Sequence, residues 1–155
     1  MNDPVLERLA ALGLALPPAP QPLGAYRAVV QSGALLFLSG QLPIRDGAVV
    51  HRGAVGATLT VEEGRAAAGL CALNALAQIH RFLGGFERLK QIARVDGYVA
   101  SAPGNFDQPK VLDGASDLFA QVLAERAGHA RTAFAVPQLP ANAAVELAVI
   151  AEVLI

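Results

Sequence analysis

The stretch Arg131–Ile155, RTAFAVPQLPANAAVELAVIAEVLI, decides the fold. It reads as two apolar strands separated by a loop that Pro137 and Pro140 mark. Each strand carries a charge foreign to a buried face: Arg131 at the head of the first, Glu146 near the head of the second. Taking either charge out of water without a partner costs several kcal/mol, roughly, so an apolar strand seldom holds one idly. The expectation is a scaffold that presents both groups at a pocket wall. Ala144–Ile155 is apolar on both faces except for Glu146 and Glu152, the pattern of a central strand covered on two sides.

Working outward, a helix from Pro109 or Lys110 to Ala127 places Leu112, Ala115, Leu118, Phe119, Val122 and Leu123 on one stripe, and Gly128 ends it. Ile92–Ser101 is a strand. Thr60–Gly84 is a longer helix, opened by a Thr60/Glu63 capping box and closed by Gly84-Gly85. Its many alanines suit close packing on a sheet. Tyr26–Gln31 and Leu35–Ser39 form a hairpin around Ser32-Gly33-Ala34, and Asp46-Gly47 turns into a short strand, Ala48–His51. Met1–Leu16 reads as a short amphipathic helix started by Asp3-Pro4 and stopped near Gly13. The prolines of Leu16–Leu23 favour an extended segment, read as a packed arm.

The chain thus divides into residues 1–23, helix and arm, and a domain over 24–155. Six strands and two long helices predict an α+β layer, a mixed sheet with both helices on one face. The other face needs a cover, and a second subunit is the natural one.

Composition agrees and narrows the function. Among 155 residues, 54% are hydrophobic and 16% charged, so extra surface is expected to be hidden in an oligomer. The net charge is −1 and the basic residues are scattered, a poor footprint for nucleic acid. Cys71 is the only cysteine, which leaves no disulfide framework and no cysteine metal cluster. Asp3 and Glu7 in place of a basic segment argue against a signal peptide. No apolar run has the length of a membrane span. A cytoplasmic location is expected.

No phosphate-binding glycine loop is present, and Ser39 lacks the flanking glycines of a nucleophile elbow. His51, His80 and His129 lack metal-ligand spacing, and Cys71 reads as a packed thiol. Arg131, Glu146, Ser39 and Tyr26 remain. Arg131 suits bidentate capture of a carboxylate, or it is an exposed charge after a helix. Glu146 is a pocket carboxylate or a solvent-facing one. A tight hairpin of the last two strands would set Arg131 opposite Ile150, about 13 Å along from Glu146. A site using both then needs another strand order or a neighbouring subunit.

Gly24-Ala25-Tyr26, Leu38-Ser39-Gly40-Gln41-Leu42-Pro43, Ala130-Arg131-Thr132, Leu139-Pro140 and Val145-Glu146-Leu147, in this order, resemble the RidA (YjgF) family, formerly labelled endoribonuclease L-PSP. The N-terminal extension and Asp113-Gly114-Ala115-Ser116 resemble a particular branch of it. The resemblance implies a chorismate-mutase-like α+β fold and a homotrimer with ligand sites between subunits. It implies hydrolysis of 2-imino or 2-enamino acids to 2-keto acids and ammonia, without metal or cofactor. Arg131 would bind the substrate carboxylate, and Glu146 would position or activate the attacking water. Tyr26, Ser39 and Gly40 would line the pocket. Ala133 stands where RidA proper has cysteine, and Asp113 is the nearest match to a pocket asparagine. A carboxylate-binding module without turnover is the alternative, and a ribonuclease the third.

Overall fold

The computed structural model describes residues 2–155, so Met1 of the expected first helix lies outside them. In chain order the elements are α1 (Pro4–Ala11), β1 (Val29–Ser32), β2 (Leu35–Gln41), β3 (Ile44–Arg45), β4 (Ala48–Val49), α2 (Val61–Leu83), β5 (Leu89–Ala100), α3 (Gln108–Leu123), β6 (Ala130–Val136) and β7 (Val145–Val153). Short 3-10 turns, Ala124–Ala127 and Pro140–Asn142, precede β6 and β7.

The main sheet has the order β1-β2-β7-β5-β6, with β6 parallel to β5 and the other pairings antiparallel. It is mixed, and β7 is central, as its sequence demands. Val145, Leu147, Val149, Ala151 and Val153 point into the core, while Glu146, Ala148, Ile150 and Glu152 are half-buried on the other face. The helices α2 and α3 cover the first face. Close approach is bought by glycine: a Cβ on Gly97 of β5 would sit 2.2 Å from Leu112 Cδ1 on α3, and one on Gly114 would sit 2.1 Å from the Arg65 carbonyl oxygen on α2.

The helix ends follow their sequence signals. Thr60 accepts from Glu63 N–H at 3.1 Å, and Gly84 closes α2 in the left-handed region. The α1 helix is capped by Asp3, whose carboxylate accepts from Val5 N–H, and it buries Val5 and Leu9 in the common core.

One expectation changes. The main sheet has five strands, because the expected short strand at Ala48–His51 pairs with β3 in a separate two-stranded ribbon. Asp46 and Gly47 both take positive φ, 51° and 79°, which makes a tight turn. Pro43, with no N–H to give a ladder, lies where the chain leaves β2 for that ribbon. Of the two arrangements left open for the last two strands, the structure has the one without a hairpin, since β5 lies between them.

The sheet face away from the helices carries large exposed apolar groups. Val30, Phe37 and Phe134 are each more than two-fifths exposed, and Tyr98 stacks on Phe134 with ring centroids 5.4 Å apart.

Candidate functional site

The strand register sorts the candidate residues into two groups. Tyr98 on β5 is opposite Glu146 on one side and Phe134 on the other. Val95 is opposite Val149 and Arg131. Paired residues share a face, and faces alternate along a strand. Arg131 and Ala133 therefore lie on the helix-covered face, with Val95 and Gly97. Glu146 lies on the open face. Three residues along and two strand spacings across separate them, each about 10 Å. Within one chain these two groups do not meet.

Glu146 belongs to a cavity of about 180 Å3 that Tyr26, Ser39, Gly40, Gln41, Gln78 and the arm residues Pro20–Leu23 help to line. Its position depends on an irregularity in β2. Leu38 is opposite Val149 but Gln41 is opposite Leu147, so three steps on β2 match two on β7. This bulge at Ser39-Gly40 gives the Glu146 side chain its seat. A Cβ on Gly40 would lie 2.0 Å from Glu146 Oε1, so the glycine is required by the carboxylate. No hydrogen bond to that carboxylate exists among the described residues, and partial burial raises its pKa above the ordinary 4.5. An unpartnered carboxylate so placed can take or give a proton.

The two hydroxyls are engaged by backbone. Ser39 Oγ donates to the carbonyls of Arg27 at 2.7 Å or Ala28 at 3.1 Å, and it holds the bulge beside the chain entering β1. Tyr26 accepts from Leu23 N–H at 3.2 Å, which fastens the arm over the cavity. Cys71 is fully buried, donates to Val145 O at 3.6 Å, and has its thiol pKa pushed up first by burial and then by the Glu146 charge.

Arg131 has the opposite character. Its Nη1 donates to Asp113 Oδ1 at 2.8 Å and to Ser116 Oγ at 3.2 Å, and its Nη2 reaches Pro109 O at 3.4 Å, all on α3. His129 Nδ1 lies 2.5 Å from Ala127 O. A carbonyl can only accept, so Nδ1 carries a proton; Nε2 and the Ser116 hydroxyl share a hydrogen bond at 2.9 Å, in which the hydroxyl uses at most one of its two lone pairs. Ser116 thereby keeps a lone pair toward Arg131. Asp113 is the guanidinium's ionic partner within the chain, and Ala133, half-buried, packs against the core.

The structure thus brings Tyr26, Ser39, Gly40 and Glu146 together and groups Asp113, Arg131 and Ala133 elsewhere. Sequence reasoning missed Gln41 and Gln78 as cavity residues, as well as the arm. Gln78 gave one signal: a glutamine beside Ala77 on the apolar stripe of α2. Among the described residues, no three His, Cys, Asp or Glu side chains gather as a metal site, and no helix is long and apolar enough to cross a membrane.

Comparison with known proteins covers almost the whole chain. A family model described as "YjgF/chorismate mutase-like, putative endoribonuclease" matches residues 6–153. Protein TCP17 from Trypanosoma cruzi is 43% identical over 149 residues, 96% of this chain and 93% of that one. The crystal structure of Atu1372 from Agrobacterium tumefaciens, of unknown function, superposes with a TM-score of 0.91 at 40% identity, covering 96% of this chain and 92% of the other. One from Shewanella oneidensis MR-1, described as a "putative endoribonuclease", superposes with a TM-score of 0.93 at 38% identity, covering 97% and 99%.

Proposed function

Because the chain belongs to the YjgF/chorismate-mutase-like family, the RidA/YjgF family its motifs resemble, we propose that it hydrolyses small 2-imino and 2-enamino acids to 2-keto acids and ammonia. The observation that carries this reading is Glu146, an unpartnered, partly desolvated carboxylate seated on a glycine bulge in a small cavity. An imine carbon is already electrophilic, so a held substrate and one positioned water suffice. The ionised Glu146 takes a proton from that water as its oxygen attacks the imine carbon. That proton passes to nitrogen, which gives a carbinolamine; Glu146 then carries the remaining hydroxyl proton to nitrogen as well, the carbon–nitrogen bond breaks, and ammonia leaves as the carbonyl forms.

The substrate carboxylate is assigned to Arg131. Glu146 and Arg131 lie on opposite faces of one sheet, so a working site takes Glu146 from one copy and Arg131 from another. The exposed apolar groups on the open face support such an assembly, in the trimeric form that the family resemblance implies. The cavity's size supports a small substrate: about 180 Å3 lies below the roughly 300–1,000 Å3 of drug-sized ligand clefts.

A second reading is capture of a small carboxylate without turnover; the small volume of the Glu146 cavity suits a small acid whether or not a carbon–nitrogen bond is hydrolysed there. A ribonuclease gains no support from the geometry. No histidine lines the Glu146 cavity, His80 packs on Phe86, and His129 is engaged by Ser116 and Ala127.

The test generates 2-iminobutyrate in situ and follows its disappearance with wild type, Glu146→Gln and Arg131→Ala. Acceleration by wild type, lost in both variants, supports hydrolysis. Binding of 2-ketobutyrate with no acceleration selects the second reading.

A further inference from the structure

The cavity beside Glu146 has an inner wall for which the hydrolytic chemistry has no use. It consists of Gln41, Gln78 and the arm at Pro20–Leu23. Gln41 is 4% exposed and Gln78 3%, and amides so deeply buried must be hydrogen-bonded to be tolerated. Gln78 Nε2 donates to Pro20 O at 2.6 Å and to Gln41 Oε1 at 3.4 Å, which occupies both of its hydrogens. Gln41 Nε2 donates to Ser39 O at 3.0 Å. A relay of amides thus joins the arm to the bulge on which Glu146 rests.

This relay leaves two groups over: the Gln78 carbonyl oxygen and the second N–H of Gln41 have no partner among the described residues. Among the described residues, the one sealed side-chain atom without a partner is Asn74 Oδ1, on the neighbouring turn of α2, so Gln78 Oε1 keeps access to open space. Both residues line the Glu146 cavity and their amides are joined by the 3.4 Å bond, so the spare acceptor and the spare donor belong to adjacent groups; such a pair matches a hydroxyl, which gives one hydrogen bond and takes another.

We propose that Gln41 and Gln78, held by the arm, form a side-chain subsite that selects small substrates ending in a hydroxyl over apolar isosteres. This rests on reading the Glu146 cavity as the imino-acid site. The Glu146 carboxylate faces the reacting carbon, and the substrate's side chain runs inward to the two amides. An apolar end would leave both amides short of a partner, and that mismatch supplies the discrimination.

An amino-acid oxidase supplies the test substrates as imines, from serine against 2-aminobutyrate and from homoserine against norvaline. Each pair exchanges a hydroxyl for a methyl. Wild type should hydrolyse the hydroxylated member of at least one pair with kcat/KM about tenfold higher. Gln78→Met and Gln41→Met should bring that ratio close to one. General damage lowers both members of a pair together and leaves their ratio intact, so the ratio separates selection from folding. A wild-type ratio of one in both pairs, or an unchanged preference in both variants, overturns the subsite. If wild type hydrolyses none of the four, the hydrolase reading fails by itself, and the corresponding 2-keto acids then test the subsite by titration calorimetry. Tighter binding of a hydroxylated keto acid, lost in Gln78→Met, supports it; equal binding or none overturns it.

Discussion

Glu146 and Arg131 are the two charges the last strands carry, and the fold treats them in opposite ways. Glu146 has no hydrogen-bond partner among the described residues, sits against a glycine and has its pKa raised by desolvation. Arg131 has a carboxylate, a hydroxyl and a carbonyl around it, all from the helix that precedes its strand. One charge is left poised and the other is held still. On the proposed hydrolysis, the difference is that between a group that exchanges a proton and a group that keeps its position. It also fixes where a working site can be, since one group faces the helices and the other faces away.

The sharpest way to break this comparison is to separate the two charges onto different chains. Glu146→Gln and Arg131→Ala should each lower kcat/KM about 10²- to 10³-fold. Equal amounts of the two variants, unfolded and refolded together, should recover about a quarter of wild-type activity, because a site drawing on two randomly chosen copies has both native residues one time in four. No recovery would mean that a single chain supplies both groups, against the register of the sheet.

Gly40→Ala probes the poised side alone. Its Cβ would displace the Glu146 carboxylate, and kcat should fall about 10²-fold while the midpoint of thermal unfolding changes little. Activity equal to wild type would show that the seat on the bulge does not position the carboxylate. Asp113→Asn probes the held side. With its internal counter-charge removed, Arg131 should bind 2-ketobutyrate about fivefold more tightly, measured by calorimetry. Weaker binding would show that Asp113 orients the guanidinium more than it competes for it.

Much of this was legible in the sequence for local reasons. Thr60 and Glu63, Gly84 and Asp46-Gly47 fix their ends and turns through backbone chemistry that a few residues determine. The alternation in Ala144–Ile155 placed β7 at the sheet's centre because apolar residues on both faces exclude an edge. What escaped was set by distant parts of the chain. That β5 separates β6 from β7 depends on the α3 crossover, so counting along the loop at Pro137–Ala144 set Arg131 opposite Ile150 rather than Val95. The Arg131–Asp113 pair spans a helix and a strand, and nothing in either segment announces it. The arm's role was hidden for the same reason: its prolines specify an extended path, whereas Gln78, 58 residues further on, decides where that path lies.

The smallest effect tests the poised carboxylate through stability rather than turnover. The folded-state pKa of Glu146 is raised, and the unfolded chain ionises at the ordinary value of 4.5. Below that value both states are protonated and the burial carries no charge penalty. As the pH rises, the unfolded state ionises first, so folding loses stability until the raised folded-state pKa is passed, and the loss then stays constant. Glu146→Gln removes the ionisation. At pH 7 the variant should therefore unfold about 1–2 °C above wild type, and the gap should close as the pH falls below the ordinary carboxylate range. If Glu146 is the base of the proposed hydrolysis, the same shift predicts an acid limb in the pH–rate profile of wild type displaced upward from 4.5, because a base works only when ionised. Asp96 makes the internal contrast: Thr132 chiefly, with Arg94, holds its carboxyl below the ordinary range, so its contribution is present at neutral pH and is lost on acidification. A variant less stable than wild type at pH 7, with the gap closing on acidification, would place Glu146 with Asp96, as a carboxylate the fold has satisfied, and would remove the asymmetry between the two ends of the site.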